Sequence, residues 1–561
     1  MSRLGDWLDE RVGHRALLRA ALDEPVRGGA RWSYVFGSAL VFVLLVQLVT
    51  GVLLASVYSP SVTSAWASVA YLQDQVTLGW FIRGLHGTGA SAMVILTGLH
   101  LLQVTIYGAY RRPREVNWWV GLLLMVCLFA FALTGYLLPW DQKGYWATQV
   151  ATSLVGATPL VGPWLKRLVQ GGPEYGNLTL TRFYALHTLV LPAATVVLVA
   201  IHVALFRKHG VTPGFADSDE ALEQKTVPFW PAQAVRDLVA MTVVLALMVA
   251  VVARAHGVGL EAPADPASAY DARPEWYFVP LYQLLKYFPG RLEIVAALGA
   301  PLIAGGFLFF LPLVDRGPAR NPGARKAFIG GVVLLLFGAA TLGAISERAD
   351  RSNPRYRAFR QGADQAAARA LKLAQKGVPP AGGTAVYDND PMQRARRLLD
   401  ERCLGCHLYE GKGERKAPDL DGWSSRAWIR DFLLDPEGPR FYGATKIRGM
   451  KPVKQRGDEL DALVEWVYSQ GGGTVDADKA ARGKQLFSDA GCDECHDATG
   501  TGGGNGVPDL GGRASLAWAR AFLANPAEER FFGKKNQMPK FGERLAGADL
   551  DALAGWLVTL R

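Results

Sequence analysis

Residues 84–101 read GLHGTGASAMVILTGLHL, an apolar stretch carrying two histidines. His86 and His100 are 14 positions apart. At about 100° per residue a helix places them within about 40° of each other on one face. At about 1.5 Å per residue they stand about 21 Å apart along its axis. Ionisable side chains inside an apolar span are costly and need a role that compensates. Two on one stripe, one toward each end, suit ligands for two stacked cofactors. A second apolar stretch, 183–206, repeats the device with His187 and His202.

Around these two stretches the chain divides by composition. Residues 32–346 are dominated by long apolar runs, whereas 347–561 are polar, charged and glycine-rich. Seven runs approach the roughly 20 residues needed to cross a bilayer. They are 32–58, 80–107, 116–138, 183–206, 235–254, 292–314 and 327–345. The loops after the second, fourth and sixth are basic: YRRPR at 110–114, RKH at 207–209, and 316–326. Lys and Arg are absent from the first loop, 59–79. Positive charge collects on the cytoplasmic side, so the N-terminus is expected in the cytoplasm and the C-terminal half outside. Spans two and four then run in the same direction. His86 pairs in depth with His187 toward the outer face, and His100 with His202 toward the inner. Gly37 and Gly51 in the first span, and Gly121 and Gly135 in the third, repeat the 14-residue interval. Glycine allows close approach, so each pair is expected to face the two cofactors. The net charge of +10 is explained by topology and does not call for nucleic acid. Residues 1–31 are charged and lack an apolar core, so the first span is expected to act as the membrane signal.

Four of the five cysteines form two CxxCH motifs, Cys403–Cys406–His407 and Cys492–Cys495–His496, while Cys127 lies in an apolar run. CxxCH attaches a c-type haem through two thioethers, with the histidine on iron. The motifs lie in a duplication with a period of about 89–90 residues. AWIRDFLLDP at 427–436 matches AWARAFLANP at 517–526, and ELDALVEW at 459–466 matches DLDALAGW at 549–556. Met450 and Met538 hold equivalent places downstream and suit the sixth ligand position. This half resembles tandem class I cytochrome c domains.

The first half has a specific resemblance as well. WFIRGLH (80–86), GYLLPWDQKGYWA (135–147), TLTRFYALHTLVLP (179–192) and PEWYFVPLYQLLKY (274–287) are similar to the cytochrome b of bc and bf complexes. The expected fold is all-α: a polytopic transmembrane bundle of seven spans, a four-helix haem-binding core plus three, then two small helical cytochrome c domains. The expected divisions are an N-terminal arm at 1–31, the four-helix domain at 32–210, a three-helix domain at 211–346, a connector at 347–392, and c domains at 393–472 and 473–561. The resemblance implies two bis-histidine b-type haems and two His/Met c-type haems. It assigns Pro274, Glu275, Trp276 and Tyr277 to an outer quinol site, with Tyr136 as a second element of that site. A carboxylate beside a quinol is a chemically sensible proton acceptor, which points to Glu275. Arg83 and Arg182 near the outer histidines, and Arg114 and Arg207 near the inner ones, are candidates for haem propionates or for interfacial anchoring. The 15-residue interval from His187 to His202 and the seven-span count resemble the bf branch. Val35 stands where that branch has a haem-attaching cysteine, so no covalent third membrane haem is expected.

The function implied is a quinol:cytochrome c oxidoreductase core in the bacterial cytoplasmic membrane. It would take quinol from the membrane lipid and pass electrons to a soluble cytochrome c or a terminal oxidase. A Rieske iron–sulfur protein is expected as a separate partner, and the family implies a homodimeric complex. The alternative is an electron conduit between the quinone pool and an external redox partner, without bifurcation.

Overall fold

The computed structural model describes residues 3–215, 219–268, 270–317, 321–504 and 506–561. Residues 1 and 2 of the arm and 318–320 of the third basic loop lie outside them. The chain forms two compact units, Met1–Ala385 and Val386–Arg561.

The first unit is helical, with seven helices long and apolar enough to cross a membrane. They are α1 (Trp32–Ala55), α2 (Gly79–Tyr107), α3 (Glu115–Leu137), α5 (Asn177–His209), α6 (Ala232–Ala255), α7 (Val295–Val314) and α8 (Pro322–Ser352). Between α3 and α5 lies a shorter helix, α4 (Gln142–Gly156). After α8, α9 runs Pro354–Ala374. Large apolar side chains such as Leu302, Ile303, Leu334 and Phe337 point outward from the spans. That suits a lipid surround, where backbone polar groups must be satisfied inside each helix. Helix α1 packs on α2, and α3 on α5, while α6 lies against both α1 and α2.

Arg325 reads in the sequence as one of the loop charges that set topology. It is instead buried, at 3% exposure. Its Nε donates to Asp315 at 2.7 Å, and its Nη2 donates to the Thr105 carbonyl at 2.8 Å and the Tyr110 hydroxyl at 2.7 Å. Tyr110 in turn donates to Asp315 at 2.6 Å. A charge buried in this way persists because it is paired with a carboxylate and hydrogen-bonded to further acceptors. The network fastens the end of α2 to the start of α8.

The second unit holds the duplicated modules: α10 (Pro391–Arg402), α11 (Arg426–Leu434), α12 (Gly457–Ser469), α13 (Ala477–Asp489), α14 (Leu516–Ala524) and α15 (Gly547–Val558). One core is shared by both modules, and Trp428, Leu463, Trp466, Phe487, Leu553 and Trp556 all belong to it. Each α11-type helix starts on a serine cap, with Ser425 and Ser515 accepting from the amides of Trp428 and Trp518. Such caps satisfy one of the free donors of a helix start.

Glu465 accepts both Nε (2.7 Å) and Nη2 (2.8 Å) of Arg426, and the Asp476 amide at 2.9 Å. The Arg426 fork beside it holds its carboxyl down to about 2. A carboxylate depressed below its unfolded value of about 4.3 stabilises the fold above that pH and loses the contribution as pH falls toward 2. Arg426 is 46% exposed, so the contribution is discounted to about 1 kcal/mol. Following c-haem absorbance on heating, Glu465→Gln should melt earlier than the parent at pH 7. The gap should close as pH is lowered toward 2. A gap independent of pH contradicts the assignment.

Candidate functional site

The four intramembrane histidines face four glycines one to one. A Cβ built on Gly51 would lie 3.3 Å from Cε1 of His86, and one on Gly37 would lie 3.7 Å from Cε1 of His100. On the other helix pair, a Cβ on Gly121 would lie 3.3 Å from Cε1 of His202, and one on Gly135 only 2.6 Å from Cε1 of His187. So α1 opposes α2, and α3 opposes α5, at two matched depths.

His86 and His187 come together across the bundle with ring centroids 6.2 Å apart. Two imidazoles bound through Nε2 to one metal at about 2 Å each have centroids about 6 Å apart. The gap therefore fits a bis-histidine iron. His100 and His202 stand opposite Gly37 and Gly121, the glycines 14 residues from Gly51 and Gly135.

The second nitrogen of each ring sets the tautomer. Thr50 donates its single hydroxyl proton to the Val46 carbonyl at 2.7 Å, so at 3.0 Å it accepts from Nδ1–H of His86. Thr134 repeats this, donating to Ala130 at 2.8 Å and accepting from His187 Nδ1–H at 3.1 Å. Each threonine directly precedes a facing glycine, giving one Thr-Gly device on α1 and another on α3. His202 donates Nδ1–H to the Asn117 carbonyl at 3.1 Å. In the second unit His407 and His496 donate to the carbonyls of Pro418 (2.6 Å) and Pro508 (2.9 Å). All five keep Nε2 as the lone-pair nitrogen, the form a metal requires. Thr134→Val removes the acceptor and should cut haem retention at His187 by about tenfold, read as b-haem absorbance per protein.

The 15-residue interval from His187 to His202 poses a geometric problem, because a regular α-helix would rotate the two rings about 60° apart. The structure resolves it with a π-helical turn, Leu186–Val190, inside α5. A π-turn takes up one extra residue. His187 thereby comes to the depth and face that a 14-residue interval gives His86 and His100.

The PEWY segment sits at the His86 and His187 end. Trp276 donates its Nε1–H to Ser91 Oγ of α2 at 3.0 Å. Glu275 pairs with Lys143 at 2.8 Å. The Tyr136 hydroxyl reaches toward the Arg273 carbonyl at 3.4 Å, and Lys143 lies 5.5 Å from the Tyr136 ring. Lys143 is fixed by the turn ahead of α4: Asp141 caps the helix by accepting the Gly144 amide at 2.8 Å and also takes the Glu261 amide at 3.1 Å. Sequence reading missed Lys143, though it stands inside the quoted PWDQK motif. Pro274 and Tyr277 flank this pair, and Tyr277 packs on Trp276 at 5.4 Å.

The four arginines are engaged by protein groups. Arg83 donates to Gln73, Val258 and Gly259 at 2.5–2.9 Å. Arg182 donates to Leu168 O at 2.5 Å, Arg114 to His209 O at 2.8 Å, and Arg207 pairs with Glu24 at 3.0 Å. Holding a propionate would mean exchanging these partners.

At the opposite end is a carboxylate that sequence reading overlooked. Asp237 of α6 is 6% exposed, accepting from Ser38 Oγ at 2.8 Å and Gln233 Nε2 at 2.8 Å. Ser38 follows Gly37, the glycine facing His100. The available signal was an acidic residue one turn into an apolar span.

Cys403, Cys492, Met450 and Met538 are all half-buried against the core of the second unit, while Cys406 and Cys495 are exposed. Paired thiols beside a lone-pair histidine nitrogen are the donor set that c-type haem attachment requires.

Taken together, the geometry defines a bundle of seven membrane-length helices in which four histidines face four glycines, followed in the chain by a helical unit that carries two CxxCH motifs. Comparison with known proteins is more specific. The family model "Cytochrome b/b6/petB" matches residues 22–210 and "Cytochrome b(C-terminal)/b6/petD" matches 263–358. "Cytochrome c" matches 480–561, the second copy of the duplication. Cytochrome b of Rhodobacter capsulatus is 34% identical over 365 residues, covering 63% of this chain and 78% of that protein. The menaquinol:cytochrome c reductase cytochrome b subunit of Geobacillus thermodenitrificans is 40% identical over 220 residues, covering 38% of this chain and 98% of that one. A solved structure, "Hyperthermophilic respiratory Complex III", superposes with TM-score 0.56 at 27% identity, covering 68% of this chain and 99% of that chain. The chain belongs to the cytochrome b family of bc-type complexes, with a cytochrome c domain C-terminal to it.

Proposed function

We propose that the chain is the cytochrome b and c subunit of a respiratory quinol:cytochrome c oxidoreductase. It lies in the bacterial cytoplasmic membrane, with its N-terminus inside and its c modules outside. The observation that carries this reading is the Lys143–Glu275 pair, held at the same end of the bundle as the facing His86 and His187 rings. His86 with His187 and His100 with His202 would each hold a b-type haem, and the two CxxCH motifs would each hold a c-type haem, groups that when bound would supply one-electron relays.

The chain's own residues supply binding and proton handling. Trp276 ties the PEWY loop to α2, fixing the loop beside the His86 site. Quinol oxidation releases two protons. The carboxylate of Glu275 accepts one when it parts from Lys143, the other passes to outer water, and once Glu275 has released its own proton there Lys143 pairs with it again. Tyr136 borders this pair from α3, with Lys143 over its ring. One electron leaves toward the c modules through a separate Rieske protein, and the other crosses the bundle. At the opposite end Asp237 delivers a proton to quinone, since a carboxylate inside a span marks a proton or ligand path. Joining the c modules to the bundle raises the effective concentration of the acceptor. The complex is a dimer by family analogy.

The test is a pyridine haemochrome assay of purified protein together with turnover. Two b and two c haems per chain are expected, with quinol oxidation blocked by an inhibitor of the outer site. Fewer b haems, or turnover insensitive to such an inhibitor, contradicts the assignment.

A further inference from the structure

A tandem duplication is expected to give two modules, each folded on itself. The second unit is built otherwise. Helix α10, the first of copy one, packs on α15, the last of copy two. Helix α12, the last of copy one, packs on α13, the first of copy two. Side chains confirm both contacts. Arg394 pairs with Asp549, and Tyr409 packs on Trp556 at 5.2 Å. Trp466 packs on Phe487 at 4.2 Å, and a Cβ on Gly483 would overlap the Ala462 carbonyl. Glycine at that crossing is what allows the two backbones to touch.

The remaining helices follow their own closing helix. Helix α11 packs on α12, joined by the Arg426–Glu465 fork and the Arg430–Asp461 pair. Helix α14 packs on α15, with Arg520 on Asp551 at 2.5 Å. Met450 lies between α11 and α12, and its loop is stitched to α11 by the Val453 amide donating to Leu433 O at 3.0 Å. Met538 lies between α14 and α15, and its loop is stitched to α14 by the Phe541 amide donating to Leu523 O at 3.1 Å. Each methionine is thus carried ahead of a closing helix that packs on the first helix of the other copy. Cys403 follows directly from α10, which lies under α15. Cys492 stands three residues beyond α13, which lies under α12. Across the centre, Trp423 of copy one lies 6.1 Å from Trp518 of copy two, and Arg513 of copy two donates to Ser424 Oγ at 2.9 Å.

We infer that the two c-haem sites are completed crosswise: Met538 faces the haem on Cys403, Cys406 and His407, and Met450 faces the haem on Cys492, Cys495 and His496. This rests on the haem reading of the CxxCH motifs and the ligand reading of the two methionines. The dihaem unit is then one interlocked body, and neither copy completes its own site.

The full chain in its complex, with one c haem removed, tests this. Cys492→Ala with Cys495→Ala leaves only the haem on Cys403 and Cys406. In that background Met538→Ala should abolish the ferric absorption band of methionine–iron bonding and lower the midpoint potential, while Met450→Ala leaves both. The reverse outcome overturns the crosswise assignment. No change with either variant overturns it too, by sinking methionine ligation itself. A second measurement does not depend on those variants folding. A protease site inserted after Gly472 and cut in the native state should leave the 473–561 fragment bound. Its release under native conditions overturns the interlock.

Discussion

Gly135→Leu is expected to eliminate the b haem at the PEWY end while the other persists. A Cβ alone at this position would lie 2.6 Å from Cε1 of His187, well inside contact distance. Three further carbons enlarge the overlap, so either α3 moves away from α5 or His187 leaves its place. Moving α3 also breaks the Thr134 contact that holds the His187 tautomer. Overpacking of this kind costs roughly 1–3 kcal/mol in a well-packed interior. At a ligand site that is enough to release the group. Reduced-minus-oxidised spectra should show b-haem absorbance falling to about half, and quinol oxidation should be lost. Gly37→Ala is the matched control. Its Cβ would sit 3.7 Å from His100, an ordinary contact, so both b haems should remain. Full b-haem content in Gly135→Leu contradicts the facing geometry.

Glu275→Gln should lower quinol oxidation about 100-fold, because the amide keeps the size of the side chain and cannot accept the proton. Lys143→Met should cost less, several-fold, because it removes the group that positions the carboxylate and leaves the acceptor in place. The pair is in direct contact at 2.8 Å, so the two effects should not add. Glu275→Gln combined with Lys143→Met should match Glu275→Gln alone, measured as turnover at saturating quinol. Multiplying losses would mean that the two side chains act separately.

Much of this was legible in the residues. Apolar length located all seven spans, with ends off by up to seven residues, because crossing a bilayer imposes a length that composition reveals. The shared 14-residue interval indicated that the glycines and His86–His100 repeat at matching depths, because helical rotation converts spacing into a face. What escaped had definite physical causes. The π-turn at 186–190 concerns winding, and a count of residues cannot say where an extra one is absorbed. Arg325 counted as a loop charge because the sequence does not show Asp315 and Tyr110 folding over it. Lys143 and Glu275 are 132 positions apart, and only the Asp141 turn brings them together. Asp237 carries no motif of its own, and the Ser38 and Gln233 contacts that hold it come from packing and from the helical turn. The duplication indicated two modules, but like helices compete for like partners, and a repeat cannot say which copy closes on which.

In the proposed function, quinol oxidised beside Glu275 sends one electron across the bundle and the other through a separate iron–sulfur protein. The most direct measurement is quinol:cytochrome c turnover of the purified complex before and after the iron–sulfur subunit is stripped away. Turnover should disappear on stripping and return when the subunit is added back. Full turnover by this chain alone would contradict the account.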